Sequence, residues 1–427
     1  MVIATLFILL FGLMLVGVPV AVALGASTLV SAFLFTNNDL MGISSYIFDG
    51  LNKYTLMAIP MFVLAGSLLS RGSAATRIIN FAKSLVGHLP GGLPIAAILA
   101  SIIFAAISGS SPATVAAIGS VMYGAIKSAG YNEQFAIGTI TTSGTLGILI
   151  PPSVVFIVYG VSADQSIGKL FMAGVIPGLM IGGMMMLATY ILAKRSGFKA
   201  EKMASLSEIF KAFKDSFWAL LIIFVVIGGI YGGIFTPTEA GAVSVMYAFF
   251  ISFFVYKDIK LKDLYKITLD SAQTSSMIFF IIANAMIFAH FLTDEQIPQA
   301  ITQMIIDANV SPLMFLLIVN ILLLVMGQFM EPSSVVMITV PLLLPIGMAL
   351  GIDPIHLGVI MVVNMEIGML TPPVGLNLFV ASGITGLSMG QVIKASIPMT
   401  LVLLFGLVLV TYIPAISLWL PNLMFGY

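Results

Sequence analysis

Polar positions along this chain are sparse and clustered, and they separate long apolar runs. Runs near 3–17, 19–35, 55–70, 132–162, 168–193, 216–234, 238–256, 270–291, 354–382 and 396–420 are each able to cross an apolar layer, which takes about 20 helical residues. Strict alternation of polar and apolar positions, the signature of an outer-membrane barrel strand, is absent from them. Two further runs, 92–126 and 311–350, are interrupted in the middle, by Ser108-Gly109-Ser110-Ser111-Pro112 and by Gly327-Gln328-Phe329-Met330-Glu331-Pro332-Ser333-Ser334. Each reads either as two short crossings or as one re-entrant helical hairpin. A turn of small polar residues suits a tip buried in protein, and this favours hairpins. Short amphipathic runs near 43–52, 72–88, 201–214 and 258–268 read as arms lying in the membrane interface.

A six-residue pattern inside the apolar runs occurs twice. Gly147-Ile148-Leu149-Ile150-Pro151-Pro152 recurs 221 residues later as Gly368-Met369-Leu370-Thr371-Pro372-Pro373. A Pro pair has to break a helix. In a membrane the freed backbone groups must then face protein, water or an ion, because lipid cannot satisfy them. Matched breaks in two halves of a membrane chain point to a transporter's binding site. Other prolines keep the register: Pro19 with Pro237 (218 apart), Pro112 with Pro332 (220), and Pro177 with Pro398 (221). The sequence therefore predicts an all-α integral membrane protein of two repeats, 1–200 and 216–427, joined by a basic linker at 201–215.

Composition agrees. The chain of 427 residues is 60% hydrophobic and 8% charged, against about 25% charged in soluble domains. The first charge is Asp39 and the first cation Lys53. Met1 to Phe35 thus lacks the basic start of a signal peptide and reads as mature membrane segments. With no cysteine and three scattered histidines, a thiolate or histidine metal cluster is not expected. Cations gather in a few places: Arg71, Arg77, Lys83 and Lys127, the linker from Lys194 to Lys214, Lys257 to Lys266, and Lys394. With the N-terminus outside and hairpins counted as non-crossing, these clusters fall in the cytoplasm. Both termini are then external, and five crossings separate corresponding points. The repeats therefore have inverted topology, with hairpin tips meeting near the midplane.

The predicted site lies at the two tips and the two breaks. Ser108, Ser110, Ser111, Thr114, Ser153, Glu331, Ser333 and Asn364 are candidates for the substrate. Hydroxyls and carbonyls freed at a break suit Na⁺, and the candidates are Ser108, Gly109, Thr142, Ser143, Gly144, Ser334, Glu366, Gly368 and Thr371. Helix N-termini suit a carboxylate. An ionisable group within a membrane segment is a functional candidate. Glu331, aligned by proline spacing with Ser111, reads either as a helix cap or as a ligand for a cation or polar substrate group. Glu366 reads as a cation ligand or a buried hydrogen-bonding group. Packing residues between membrane helices give the same Ser, Thr and Gly signal one at a time, but not as two matched clusters.

These motifs resemble the large membrane subunit of tripartite ATP-independent periplasmic (TRAP) transporters over the whole chain. They are Ser-Gly-Ser-Ser-Pro-Ala-Thr-Val (108–115), Ile-Pro-Pro-Ser (150–153), Thr-Pro-Thr-Glu-Ala (236–240), Phe-Met-Glu-Pro-Ser-Ser (329–334) and Leu-Thr-Pro-Pro-Val-Gly (370–375). The resemblance implies an elevator-type transporter in the bacterial inner membrane that takes up organic acids with Na⁺. It also implies two partners, a small four-helix membrane subunit and a periplasmic substrate-binding protein. The chain looks like the unfused form of the large subunit. The family commonly carries Asp where this chain has Glu331. No ATPase is expected, since no G-x-x-x-x-G-K-[ST] occurs, and nothing points to nucleic acid. Within the family the chain looks most like the sialic-acid branch, although C4-dicarboxylate members share the motifs. The other readings are a standalone Na⁺- or H⁺-coupled carboxylate carrier, a membrane-embedded enzyme, which lacks a nucleophile–base pair, and a scaffold, for which paired interior breaks have no use.

Overall fold

A computed structural model describes residues 2–35, 41–198 and 202–426, and regular structure among them is helical throughout. The first half runs α1 (Val2–Leu15), α2 (Val20–Phe35), α3 (Met41–Leu51), α4 (Ala58–Arg71), α5 (Ala74–Val86), α6 (Gly92–Ser108), α7 (Ser111–Ser128), α8 (Glu133–Ser143), α9 (Val154–Ser162) and α10 (Ile167–Arg195). The second runs α11 (Leu206–Tyr231), α12 (Pro237–Phe250), α13 (Leu261–Asp294), α14 (Ile297–Asp307), α15 (Pro312–Gly327), α16 (Pro332–Ala349), α17 (Pro354–Gly368), α18 (Leu376–Thr385), α19 (Met389–Tyr412) and α20 (Ala415–Phe425). Helices α15 to α19 start 220 to 222 residues after α6 to α10. The repeat boundary read at 200–201 lies outside the described residues.

The two interrupted runs are hairpins, α6–α7 and α15–α16, and their mouths lie at opposite ends of α10. Gly91, before α6, sits against Ala193 near the end of α10, and Tyr131, after α7, packs on Phe198 at 4.4 Å between ring centroids. Past the other hairpin, the Pro354 carbonyl accepts from the Tyr159 hydroxyl, close to where α10 begins. A helix of 29 residues spans about 43 Å, so the hairpins enter from opposite sides and their tips face each other. The cations separate along the same axis. Arg71 pairs with Asp270, and Arg77 reaches the Asp215 carbonyl, at the linker end. At the other end Lys53 donates to the Val161 carbonyl at 3.3 Å.

Burial divides the helices into an inner and an outer set. Every residue of α17 from Ile355 to Gly368 is buried, and α6 is nearly so. By contrast α1, α11 and α19 expose large apolar side chains such as Leu15, Phe224 and Phe405, as lipid- or subunit-facing helices do. Sharp caps punctuate the chain. Thr236 and Glu239 form a reciprocal capping box, with the Thr236 N–H donating to Glu239 at 2.8 Å and the Glu239 N–H to Thr236 Oγ1 at 3.2 Å.

Three details differ from the sequence reading. A further helix follows the 270–291 run, since α13 continues to Asp294 and the amphipathic α14 begins at Ile297, 223 residues after the start of α5. Within the runs at 201–214 and 258–268, Leu206 to Lys214 and Leu261 to Thr268 are the first turns of α11 and α13 and not separate arms. The last crossing is broken at Ile413-Pro414, which sets α20 apart from α19.

The breaks are clamped by glycine contacts. Gly327, at the end of α15, and Gly368, at the end of α17, touch through their backbones, and a Cβ on Gly368 would lie 2.7 Å from the Gly327 Cα. Backbone cannot swing aside as a side chain can. Gly368→Ala should therefore destabilise the purified protein by about 1–3 kcal/mol, the usual cost of overpacking. Gly383→Ala, in α18 with nothing within 4 Å of its Cβ position, should leave the melting temperature unchanged or slightly raised. Equal melting of the two variants would show that the contact does not constrain the break.

Candidate substrate and cation site

At the first tip α6 ends at Ser108, Gly109 takes φ +60°, and extended Ser110 leads into α7 with a Pro in its first turn. A non-glycine side chain at Gly109 would be strained by that φ and would press on the Pro152 carbonyl oxygen, 2.7 Å from its Cβ. The tip is thereby seated on the first break. Ser108 Oγ and Thr114 Oγ1 are 2.8 Å apart, and Thr114 also donates to the Ser110 carbonyl at 2.9 Å. Ser110 makes no side-chain capping bond, so the first N–H groups of α7 are left to other partners.

The second tip is built differently. Glu331 is the N-cap of α16, and one carboxylate oxygen accepts from the Ser334 N–H at 3.2 Å while the other accepts from Ser333 Oγ at 2.8 Å. Aligning the caps pairs Glu331 with Ser110, one residue off the proline-based pairing with Ser111. One hairpin thus carries its own carboxylate at the helix N-terminus and the other does not.

The breaks follow a common plan. After α8 the chain tightens into a 3-10 turn at Gly144–Ile148, passes a cis Pro151–Pro152 bond, and restarts as α9 on Ser153. Ser153 Oγ donates to the Ile148 carbonyl at 2.5 Å and accepts from the Phe156 N–H at 3.4 Å. After α17, Thr371 Oγ1 donates to the Ile367 carbonyl at 2.8 Å, Pro372–Pro373 is also cis, and the Val374 N–H donates to the Gln328 carbonyl at 3.1 Å. Pro151 and Pro152 are buried, whereas Pro372, Pro373 and Val374 are exposed.

A cavity of about 270 Å³ lies between the tips. Ser108, Gly109, Ser110, Glu331 and Ser333 line it from the hairpins. Its opposite wall comes from α4, through Ser67 and Ser70, and from α13, through Thr274 and Met277. These wall residues escaped the sequence reading, since hydroxyls on otherwise apolar helices carry no local signal. The Arg71–Asp270 ion pair lies one residue beyond Ser70 and one turn before Thr274, which places the cavity's rim towards the basic end.

Other candidates lie behind the cavity. Ser111 Oγ accepts from Asn377 Nδ2 at 2.6 Å, another residue the sequence reading missed. Ser143 pairs with Ser101 at 3.0 Å, and Thr142 donates to the Gly138 carbonyl at 2.7 Å, with Gly144 next in the turn. Ser334, Gly368 and Thr371 sit at the second tip and break. Asn364 is not brought to the cavity. It donates to Asn320 Oδ1 at 2.7 Å, and Asn320 donates to Thr411 at 3.0 Å. Glu366 is fully buried, and neither carboxylate oxygen has a hydrogen-bond partner among the described residues.

Paired hairpins and breaks around one cavity define a membrane transporter, and comparison gives the family. The profile described as "Tripartite ATP-independent periplasmic transporter, DctM component" matches residues 7–416. The C4-dicarboxylate TRAP transporter large permease protein DctM of Pseudomonas aeruginosa is 51% identical, over 94% of each chain. The sialic acid TRAP transporter large permease protein SiaM of Vibrio cholerae is 36% identical, over 97% of each. The crystal structure of the Alcanivorax borkumensis YdaH transporter shares the fold, with a TM-score of 0.63 at 16% identity over 94% of this chain and 97% of that one. The chain belongs to the DctM component family: it is the large permease subunit of a TRAP transporter, a multi-pass membrane protein and not an enzyme.

Removing the Glu331 cap tests the second tip. Glu331→Ala should cost about 0.5–2 kcal/mol of stability, the range for a lost N-cap, while Glu331→Asp keeps a capping carboxylate and should lose far less. Thermal unfolding of the two variants side by side reads the difference, and an alanine variant as stable as the aspartate one would remove the capping role.

Proposed function

We propose that this subunit carries an organic dianion of the C4-dicarboxylate class into the cell with Na⁺. The observation that carries the substrate reading is the asymmetry of the tips. Glu331 occupies the N-terminus of α16, while the N-terminus of α7 opens beside the cavity without a capping side chain. A substrate carboxylate at α7 would be the counterpart of Glu331, held by N–H groups and hydroxyls where the helix dipole favours an anion. The relatives named for C4-dicarboxylates are 47–51% identical to this chain and those named for sialic acid 35–36%. This favours the dicarboxylate over the sialic acid preferred from motifs alone.

Na⁺ suits the donor set. The breaks offer carbonyl and hydroxyl oxygens at Ser108, Gly144, Gly368 and Thr371, the hard ligands Na⁺ takes in broken helices. Buried Glu366, without a hydrogen-bond partner among the described residues, needs a compensating cation or proton. Bound Na⁺ would supply positive charge that offsets the substrate's own in the membrane interior.

The transport motion we infer is an elevator, in which the hairpins and breaks move past a wall formed by α4 and α13. The exposed second break and the rim at Arg71 support an inward-facing state. The small four-helix subunit would cover exposed outer helices, and the periplasmic binding protein would deliver substrate to the face bearing Lys53. Phe425, 5.9 Å from the Lys169 ammonium, supports a periplasmic C-terminus, as for the N-terminus, in the inner membrane.

Uptake into proteoliposomes holding the large and small subunits, with cognate binding protein outside, tests this reading. Labelled succinate should enter only with inward Na⁺, and N-acetylneuraminate should not. Inside-negative potential gives about 2.3 kcal/mol per 100 mV for each net positive charge, so stimulation by voltage requires more than two Na⁺ per dianion. Uptake persisting in Na⁺-free medium would refute the coupling. Uptake of sialic acid in place of succinate would refute the substrate.

A further inference from the structure

We propose that Asn377 transmits cation occupancy at the second break to the tip of the first hairpin, so that Na⁺ binding in one half prepares the anion subsite in the other; this rests on the Na⁺-coupled reading above. Asn377 is the second residue of α18 and its side chain is fully buried. Its backbone N–H donates to the Met369 carbonyl at 3.2 Å, inside the turn that carries Gly368 and Thr371. Its side-chain Nδ2 donates to Ser111 Oγ at 2.6 Å, across 266 residues of sequence. One residue is therefore bonded to the second break by its main chain and to the first residue of α7 by its side chain.

The geometry gives that bridge leverage. Ser110, Pro112 and Ala113 flank Ser111 and line the cavity, and the start of α7 has no side-chain cap of its own to fix it. Its orientation then depends on what Ser111 is tied to. The Asn377 Oδ1 atom is buried without a partner among the described residues, and a buried amide oxygen in that state is disfavoured until it gains a hydrogen-bond donor. Ordering of the Met369–Val374 turn by oxygen-bound Na⁺ would fix Asn377, and through Ser111 would set the N–H groups of α7 for a carboxylate. Coupling between sites requires such an element with two arrangements that both ligands bias.

The chain has no cysteine, so a single one reports cleanly. Ala113→Cys would be introduced into the large subunit, purified together with a small subunit free of cysteine, and its maleimide labelling rate measured with and without Na⁺, in the absence of substrate. The Na⁺-induced rise in melting temperature, followed in parallel, reports cation binding itself. With Asn377 and Ser111 intact, Na⁺ should change the labelling rate about fivefold or more, the lower range of coupling between sites. Asn377→Ala and Ser111→Ala should each abolish that change while keeping the Na⁺-induced thermal shift. The double variant should be no worse than either, and Ser111→Thr, which keeps the hydroxyl acceptor, should restore the response. A full labelling response in either alanine variant would overturn the proposal. So would loss of the thermal shift together with the labelling response, which would make Asn377 part of cation binding instead of its transmission. A thermal shift without a labelling response in the unaltered background would overturn it too. No Na⁺ effect of either kind in that background would instead refute Na⁺ coupling and take this inference with it.

Discussion

The constraint on which the rest of this molecule depends is that backbone groups freed inside an apolar slab must find partners there. Each Pro-Pro break releases N–H and C=O groups that lipid cannot satisfy. The chain answers by folding a hairpin tip onto each break. Gly109 lies on the Pro152 carbonyl and Gly147 on that of Ser110, while Gly327 and Gly368 meet backbone to backbone. The glycines are there because nothing larger allows one backbone so close to another. The result is a dense inner set of helices that keeps Glu366 and Asn377 fully buried.

Within that frame the two halves are alike in path and unlike in charge. Glu331 turns the second tip into a closed unit in which its own carboxylate satisfies the start of α16. At the first tip the equivalent residue is Ser110, which caps nothing. A pseudo-symmetric fold therefore presents one filled and one open anion position. Symmetry of path suits interconversion of two states of similar energy, and on the function proposed above asymmetry of charge would confine the substrate to one subsite.

What was legible in the sequence followed from rules that act locally. Pro pairs break helices, so both breaks were visible, and their common offset exposed the repeat. Small polar residues between apolar runs marked both tips. What was missed depends on distant parts of the chain meeting. Ser67, Ser70 and Thr274 look like ordinary polar insertions until α4 and α13 are seen walling the cavity. Asn364 lies in the right turn for a site residue but faces α15, where Asn320 takes it up. Asn377 carries no local signal at all, since its partner Ser111 is 266 residues away. Helix α14 is short and follows directly on the charged Asp294-Glu295 turn, so no apolar run announced it.

The cavity's two walls differ in a way that bears on release. The hairpin wall offers helix N–H groups and a carboxylate, which discriminate strongly by charge. The α4–α13 wall offers hydroxyls, which accept or donate without fixed charge. The proposed anion would slide along such a wall without breaking an ion pair, because Arg71, next to Ser70, is already engaged by Asp270. If the substrate is the anion proposed above, its affinity would reside in the hairpins and in any cations at the breaks, and the wall would contribute little that must be undone. On the proposed coupling, loss of a cation from the exposed second break would weaken the anion subsite, so release into the cytoplasm would begin with the ion.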